Sequence, residues 1–206
     1  MSIVSADSRF KVVKRAENKG ATYNYFFELE TYLTNDEDIV LHLDGDDWLI
    51  DDNVLQNLID YYDKHQVWMT YGGFYCYKDS TEQLQIGHPQ NTPYPEYVLN
   101  NKLFRKDVWR ASHFRTYKTF LYRQLDVNEL YSAIDGKLFW HATDLAFQFS
   151  YMEMCKSDKI GVVDFPTYVY NQSKINESRT AVREHQDNYK FETEIRNRSI
   201  NKELAW

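Results

Sequence analysis

The chain has 206 residues, of which 43% are hydrophobic and 27% charged, the proportions of a soluble globular protein that can bury one sizeable core. A formal charge of -7, with no basic stripe interleaved with aromatics, excludes nucleic-acid binding as the main task. No apolar run is long enough to cross a membrane and no signal-peptide pattern opens the chain, so a cytoplasmic protein is expected, one that would reach a membrane surface only peripherally, through a partner.

In chain order, Phe10-Lys11-Val12-Val13-Lys14 reads as a short strand and Asn18-Lys19-Gly20 as a turn. Thr22 is placed to cap a helix reaching about Leu33, with Phe26, Leu29 and Leu33 at helical spacing, and Asn35-Asp36-Glu37 ends it. Ile39 to Leu43 is a nearly all-apolar strand, as expected when both faces are covered. It runs into Asp44-Gly45-Asp46-Asp47-Trp48. A helix opening at Asp51-Asp52 shows Leu55, Leu58, Ile59 and Tyr62 as its apolar face, and Val67 to Tyr77 is a further strand.

This alternation predicts an α/β fold with right-handed crossovers. Ligands of such sheets bind at the carboxyl ends of strands, where the acidic cluster lies. Residues 78 to 100, with Pro89, Pro93 and Pro95, read as a long lid or binding loop. Helical pieces follow at Phe114–Arg123 and Asp144–Met154, then short strands at Ile160–Val163 and Tyr168–Tyr170. A charged helical tail covers residues 180 to 206, ending on Trp206, and the whole chain is expected to be a single domain. Cys76 and Cys155 form no C-x-x-C pattern and are expected to be free thiols.

The acidic turn carries the chemistry. Expelling a diphosphate from a sugar nucleotide leaves charge that a divalent ion can offset as a Lewis acid. Mn²⁺ and Mg²⁺ take oxygen ligands, and one or two protein carboxylates plus phosphates suffice. Asp44 and Asp46 are the candidate ligands. Gly45 lets backbone approach a nucleotide. The plain alternative is an acidic turn that only caps the next helix. An EF-hand loop starting at Asp44 fails, because Leu49 and Leu55 stand where Gly and Glu are required. A metal-dependent phosphatase also uses an acidic turn after an apolar strand, but Trp48 is foreign to that pattern.

Taken together, several blocks resemble family 2-like glycosyltransferases, which have the GT-A fold, a mixed, mostly parallel sheet flanked by helices. The blocks are Phe10–Val13, Glu17–Gly20, Asn24, Asp38–Leu49, Asn53–Leu55, Val67–Gly72, Trp109–Thr116, Thr143–Ala146, Met152–Met154 and Tyr168–Asn171. They look like a subgroup of bacterial and large-virus members. The resemblance implies an inverting, metal-dependent transfer from a nucleotide-diphosphate sugar, a UDP-sugar by analogy, to a carbohydrate, lipid-linked or protein-linked glycan acceptor.

The same resemblance assigns roles. Asp46 and Asp44 would hold Mn²⁺ or Mg²⁺, with Asp47 supporting. Asp144 falls at the general-base position. Lys19, Asn24, His113 and Arg115 fall near the nucleotide, diphosphate or acceptor, and Trp48 forms a pocket wall. Each has a bland counterpart: a helix-start Asp144, a surface Lys19, a packed His113, a turn-anchoring Trp48.

Two departures stand out. Family members place a strand, a helix and a second strand before the segment that opens here, and residues 1 to 9 cannot supply a unit of roughly 30 residues. The fold is therefore expected to be N-terminally truncated, with an upstream segment or partner chain completing the sheet. After Asn171, Glu177-Ser178-Arg179 replaces an Asp-His-Lys-like run. A non-catalytic remnant acting as a binding module is thus the alternative to an active transferase.

Overall fold

The computed structural model of the protein describes residues 7–78, 83–86, 91–172 and 181–205. Glu177-Ser178-Arg179, Pro89 and Trp206 lie outside the described residues. The first helical segment starts as α1 (Ala21–Tyr23) and continues as a π-helical turn over Asn24–Glu28 and a 3-10 turn over Leu29–Thr31. Its cap is Gly20 rather than Thr22. Thr22 lies inside the first turn, where its buried hydroxyl donates to the Phe139 carbonyl.

The chain then forms β1 (Ile39–Leu41), β2 (Trp48–Leu49), α2 (Val54–His65), β3 (Met69–Tyr71), β4 (Phe74–Lys78) and β5 (Gln83–Ile86). It continues through α3 (Glu96–Asn100), β6 (Thr116–Lys118), α4 (Thr119–Gln124), α5 (Thr143–Met154), β7 (Ile160–Val162), β8 (Tyr168–Asn171) and α6 (Ala181–Arg196).

The strands make two sheets, ordered β1-β6-β3-β7 and β2-β8-β4-β5. In the first, β6 runs antiparallel to both β1 and β3, while β7 is parallel to β3. Thus β1, β3 and β7 share one direction and β6 is inserted against them. The second sheet is mixed too: β8 lies parallel to β4 and antiparallel to β2, and β5 is antiparallel to β4. The expected α/β architecture, mixed sheets flanked by helices, is what forms; the inserted β6 accounts for two of the four antiparallel pairings among the described strands.

Several expectations need correction. Phe10–Lys14 is not a strand; no partner pairs with it among the described residues, and Phe10, Val12 and Val13 are exposed. On α2 the buried side chains are Val54, Leu58 and Tyr62, four residues apart, whereas Leu55 and Ile59 are 52% and 45% exposed. A stripe at i, i+4 and i+8 is enough to seat this helix on the second core cluster. The stretch from Val67 to Tyr77 is two strands in different sheets, split at Gly72 and Gly73 with φ of 109° and 70°. A Cβ on Gly73 would stand 2.2 Å from the Phe165 carbonyl oxygen, so only glycine lets the chain cross there. The segment from Phe114 opens with β6 before helix α4 begins. The loop expected over residues 78 to 100 contains β5 and α3.

Helix α5 runs through the main core. Leu145 to Met154 are all buried, and a helix apolar nearly all round belongs inside. Phe149, Tyr151 and Met152 are fully buried, each contributing roughly 1.5–3 kcal/mol by removal from water. The far end of α5 is tied to the tail. Arg105 bonds both oxygens of buried Glu153, at 2.6 and 2.9 Å, and donates to the Ile195 carbonyl at 2.7 Å. The Asn201 backbone N–H also donates to Glu153, at 2.9 Å. Within the tail, helix α6 ends at Arg196, short of the expected helical stretch, and Ile195 lies in the core. Cys76 and Cys155 form no disulfide, the first being half-buried and the second buried. No helix among the described residues is long and apolar enough to cross a membrane.

Candidate active site

Three connections carry the chain from the first sheet to the second: 42–47 after β1, Gly72–Gly73 after β3, and 163–167 after β7. The acidic turn is therefore a seam element, placed where two sheets part. A cleft of about 500 Å³ opens beside it, within the usual size for a small-molecule site. Asp44 and Asp46 line it from the turn, His113 and Arg115 from the segment entering β6, and Asp144 and Gln148 from α5. His113 and Arg115 both reach the cleft while Phe114 between them is buried in the second core with φ 39°. A non-glycine residue there costs on the order of 1–3 kcal/mol, the kind of strain that packing sustains at functional sites.

The carboxylates are individually held. The Tyr25 hydroxyl donates to Asp44 Oδ1 at 2.8 Å. Asp47 accepts from the Tyr168 hydroxyl and, at 2.8 Å, from the Asn171 backbone N–H. Burial raises the Asp47 pKa, these two hydrogen bonds lower it, and the charges of Asp44 and Asp46 raise it again. Negative charge is thus crowded at the turn, a condition that a cation relieves.

His113 stacks on Tyr170, with centroids 4.4 Å apart, and on Tyr168 at 5.2 Å. Burial, and then the Arg115 charge, push its pKa down to about 3, so the ring is neutral. Its Nδ1 is buried and has no hydrogen-bond partner among the described residues. Asp44, Asp47 and His113 each offer a ligand atom, all within 4.8 Å of one another. Two carboxylates and a neutral imidazole with a free lone pair fit a divalent ion.

Asp144 sits in the first turn of α5, after Ala142 in a left-handed conformation. Burial raises its pKa; the charge of Arg115, whose Nη1 is 3.3 Å from Oδ2, opposes this. Arg115 also donates to the Ser112 carbonyl, which fixes the guanidinium beside the carboxylate.

Of the residues singled out from sequence, Asp44, Asp46, Asp47, His113, Arg115 and Asp144 come together here. Asp46 lines the cleft from an exposed position, outside the close cluster. Lys19 and Asn24 line a different, shallower depression with Arg15 and Glu28, and Lys19 pairs with Glu17 at 3.2 Å. Trp48 is 39% exposed and packs edge-on against Tyr77 at 5.5 Å, outside the cleft lining. Sequence reading passed over Tyr25, Tyr168 and Gln148. Tyr25 directly follows the singled-out Asn24, and Tyr168 opens the Tyr-Val-Tyr-Asn block, so both had adjacent signals; Gln148 had none.

The family described as glycosyl transferase family 2 matches residues 2–126, a stretch that holds the acidic turn, His113 and Arg115. The chain belongs to glycosyl transferase family 2. Its fold is accordingly GT-A, and its chemistry is glycosyl transfer. No curated protein matches the chain. Asp144 lies beyond the matched residues, so its assignment rests on position and environment.

Proposed function

We propose that this glycosyltransferase moves a sugar, with inversion, from a nucleotide-diphosphate donor to a hydroxyl of a carbohydrate, lipid-linked or protein-linked glycan, and that it uses a divalent ion. The observation that carries the reading is the convergence in one cleft of an acidic cluster with a half-buried carboxylate whose pKa is raised.

Asp44, Asp47 and His113 would hold the ion, with Asp46 on the rim toward the diphosphate. When bound, the ion supplies Lewis-acid stabilisation of the departing diphosphate. A nitrogen ligand favours Mn²⁺ over Mg²⁺, which prefers an all-oxygen shell. Asp144 takes the proton of the acceptor hydroxyl onto a carboxylate oxygen. The acceptor oxygen then bonds the anomeric carbon as the bond to the diphosphate oxygen breaks on the opposite face. Arg115 holds Asp144 in place and adds positive charge beside the reacting groups. A UDP-sugar is the donor proposed first, by analogy. Lys19, Asn24 and Trp48 lie outside the cleft lining and would meet only outer parts of donor or acceptor.

Titration calorimetry with a panel of nucleoside diphosphates and their sugars tests the reading. Binding is expected with Mn²⁺ and is expected to be lost in Asp44→Ala. Equal affinity with and without the ion would overturn the metal-dependent mechanism.

A further inference from the structure

We infer that Gln148 is a sugar-recognition residue, its carboxamide oxygen accepting a hydrogen bond from a sugar hydroxyl on the floor of the cleft; this rests on the glycosyltransferase reading and names what selects its substrate. Gln148 lies one helical turn beyond Asp144 on α5, and both line the cleft. Residues four apart on a helix share a face, so a group placed against Asp144 lies within reach of Gln148.

Gln148 is only 2% exposed, yet its Oε1 has no hydrogen-bond partner among the described residues. Two other buried polar groups of α5 are satisfied. Ser150 Oγ donates to the Ala146 carbonyl at 3.0 Å, and Glu153 is bonded by Arg105 and Asn201. The Tyr151 hydroxyl also lacks a partner, but it lies against Tyr117 in the core and does not line the cleft. Folded chains rarely leave a buried amide oxygen unpaired, because the desolvation cost is not recovered.

The missing partner is a hydrogen-bond donor, because a carboxamide oxygen only accepts. Phe147, Tyr25 and His42 line the same cleft, together with the carboxylates of Asp44 and Asp144. A hydroxyl is a donor that such a cleft admits. Both substrates of a glycosyltransferase are rich in that group. A site built to bond a hydroxyl discriminates strongly against an analogue lacking it, since the protein group is then left bare.

The test is Gln148→Met, which keeps side-chain length and removes the acceptor. Wild type and variant are compared by melting temperature, by kcat/KM with parent and monodeoxy donor sugars, and by the same ratio with acceptor sugars. The variant is expected to melt at the wild-type temperature or above, because an unpaired polar atom has gone. It is expected to lose about ten-fold or more in kcat/KM for the parent sugar. Its preference for parent over the relevant deoxy sugar should collapse toward one. Collapse in the donor series assigns the hydroxyl to the donor; collapse in the acceptor series assigns it to the acceptor. An active variant with unchanged sugar preference overturns the inference, as does a variant that loses stability without losing preference. Wild type without turnover on any donor removes the glycosyltransferase reading itself, and this inference with it.

Discussion

Arg115 Nη1 lies 3.3 Å from Asp144 Oδ2, and this pair joins the segment entering β6 to the first turn of α5. Burial raises the carboxyl pKa, and the guanidinium restrains that rise. The proposed base must be deprotonated to act, so transfer activity is expected to be lost as pH falls through the raised Asp144 pKa. Replacing Arg115 with Met removes the restraint, so the acid limb of the kcat/KM profile should move to higher pH. At neutral pH kcat should fall by about ten- to a hundred-fold. Asp144→Asn should remove the limb with the activity. A limb that stays in place in Arg115→Met would mean that another group titrates.

The close cluster of Asp44, Asp47 and His113, with Asp46 outside it, ranks the ligands. Thermal shift with Mn²⁺ should raise the melting temperature of wild type, as binding to the folded state does. The shift should vanish in Asp44→Asn, shrink strongly in His113→Ala, and largely persist in Asp46→Ala. Chelation by EDTA should return the wild-type value to that of the metal-free protein. An Asp46 variant that loses the whole shift would reverse the ranking.

His42 and His113 are both held near pKa 3 by burial, against an ordinary value of 6.5. The unfolded chain therefore binds more protons than the folded one between those values. The stability linked to these rings is fully present above pH 6.5 and is lost as pH falls toward 3. At pH 4.5 the loss should be about 2–3 kcal/mol for each ring. Urea midpoints at pH 7 and pH 4.5 measure it, and His42→Gln should flatten part of the difference. A midpoint that does not move over this range would contradict neutral burial.

Two glycines should respond in opposite ways. A Cβ on Gly73 meets a backbone oxygen at 2.2 Å, so Gly73→Ala should destabilise by on the order of 3 kcal/mol. Gly45 has nothing within 4 Å of the corresponding position. Gly45→Ala should leave the melting temperature nearly unchanged and weaken nucleotide binding. Denaturation and calorimetry on the pair separate folding from ligand approach.

Much of the fold and cleft was legible because local sequence and tertiary placement agree. The apolar run before Asp44 does form β1, and the carboxylates do gather at its end. Asp144 was singled out through the family resemblance, and the first turn of α5 brings it to the cleft. Lys19, in the turn before the first helical segment, and Asn24, in its π-helical turn, line another depression, whereas Ala21 and Tyr25 line the cleft. Periodicity could not find the Gly72–Gly73 break, since both strands it separates are apolar and aromatic. Phe10 to Lys14 had a strand's composition but no neighbour to pair with among the described residues, and a strand is made by its neighbour. Gln148 was invisible because its interest lies in a missing bond, which no residue spacing records.

The grip of Arg105 on Glu153, reinforced by Asn201, sets the depth at which α5 is inserted. The helix bears the proposed base at one end and is anchored at the other, so it works as a lever with its fulcrum in the tail. Changes made near Ile195 or Asn201, remote from any substrate, should therefore reach catalysis as misalignment of Asp144.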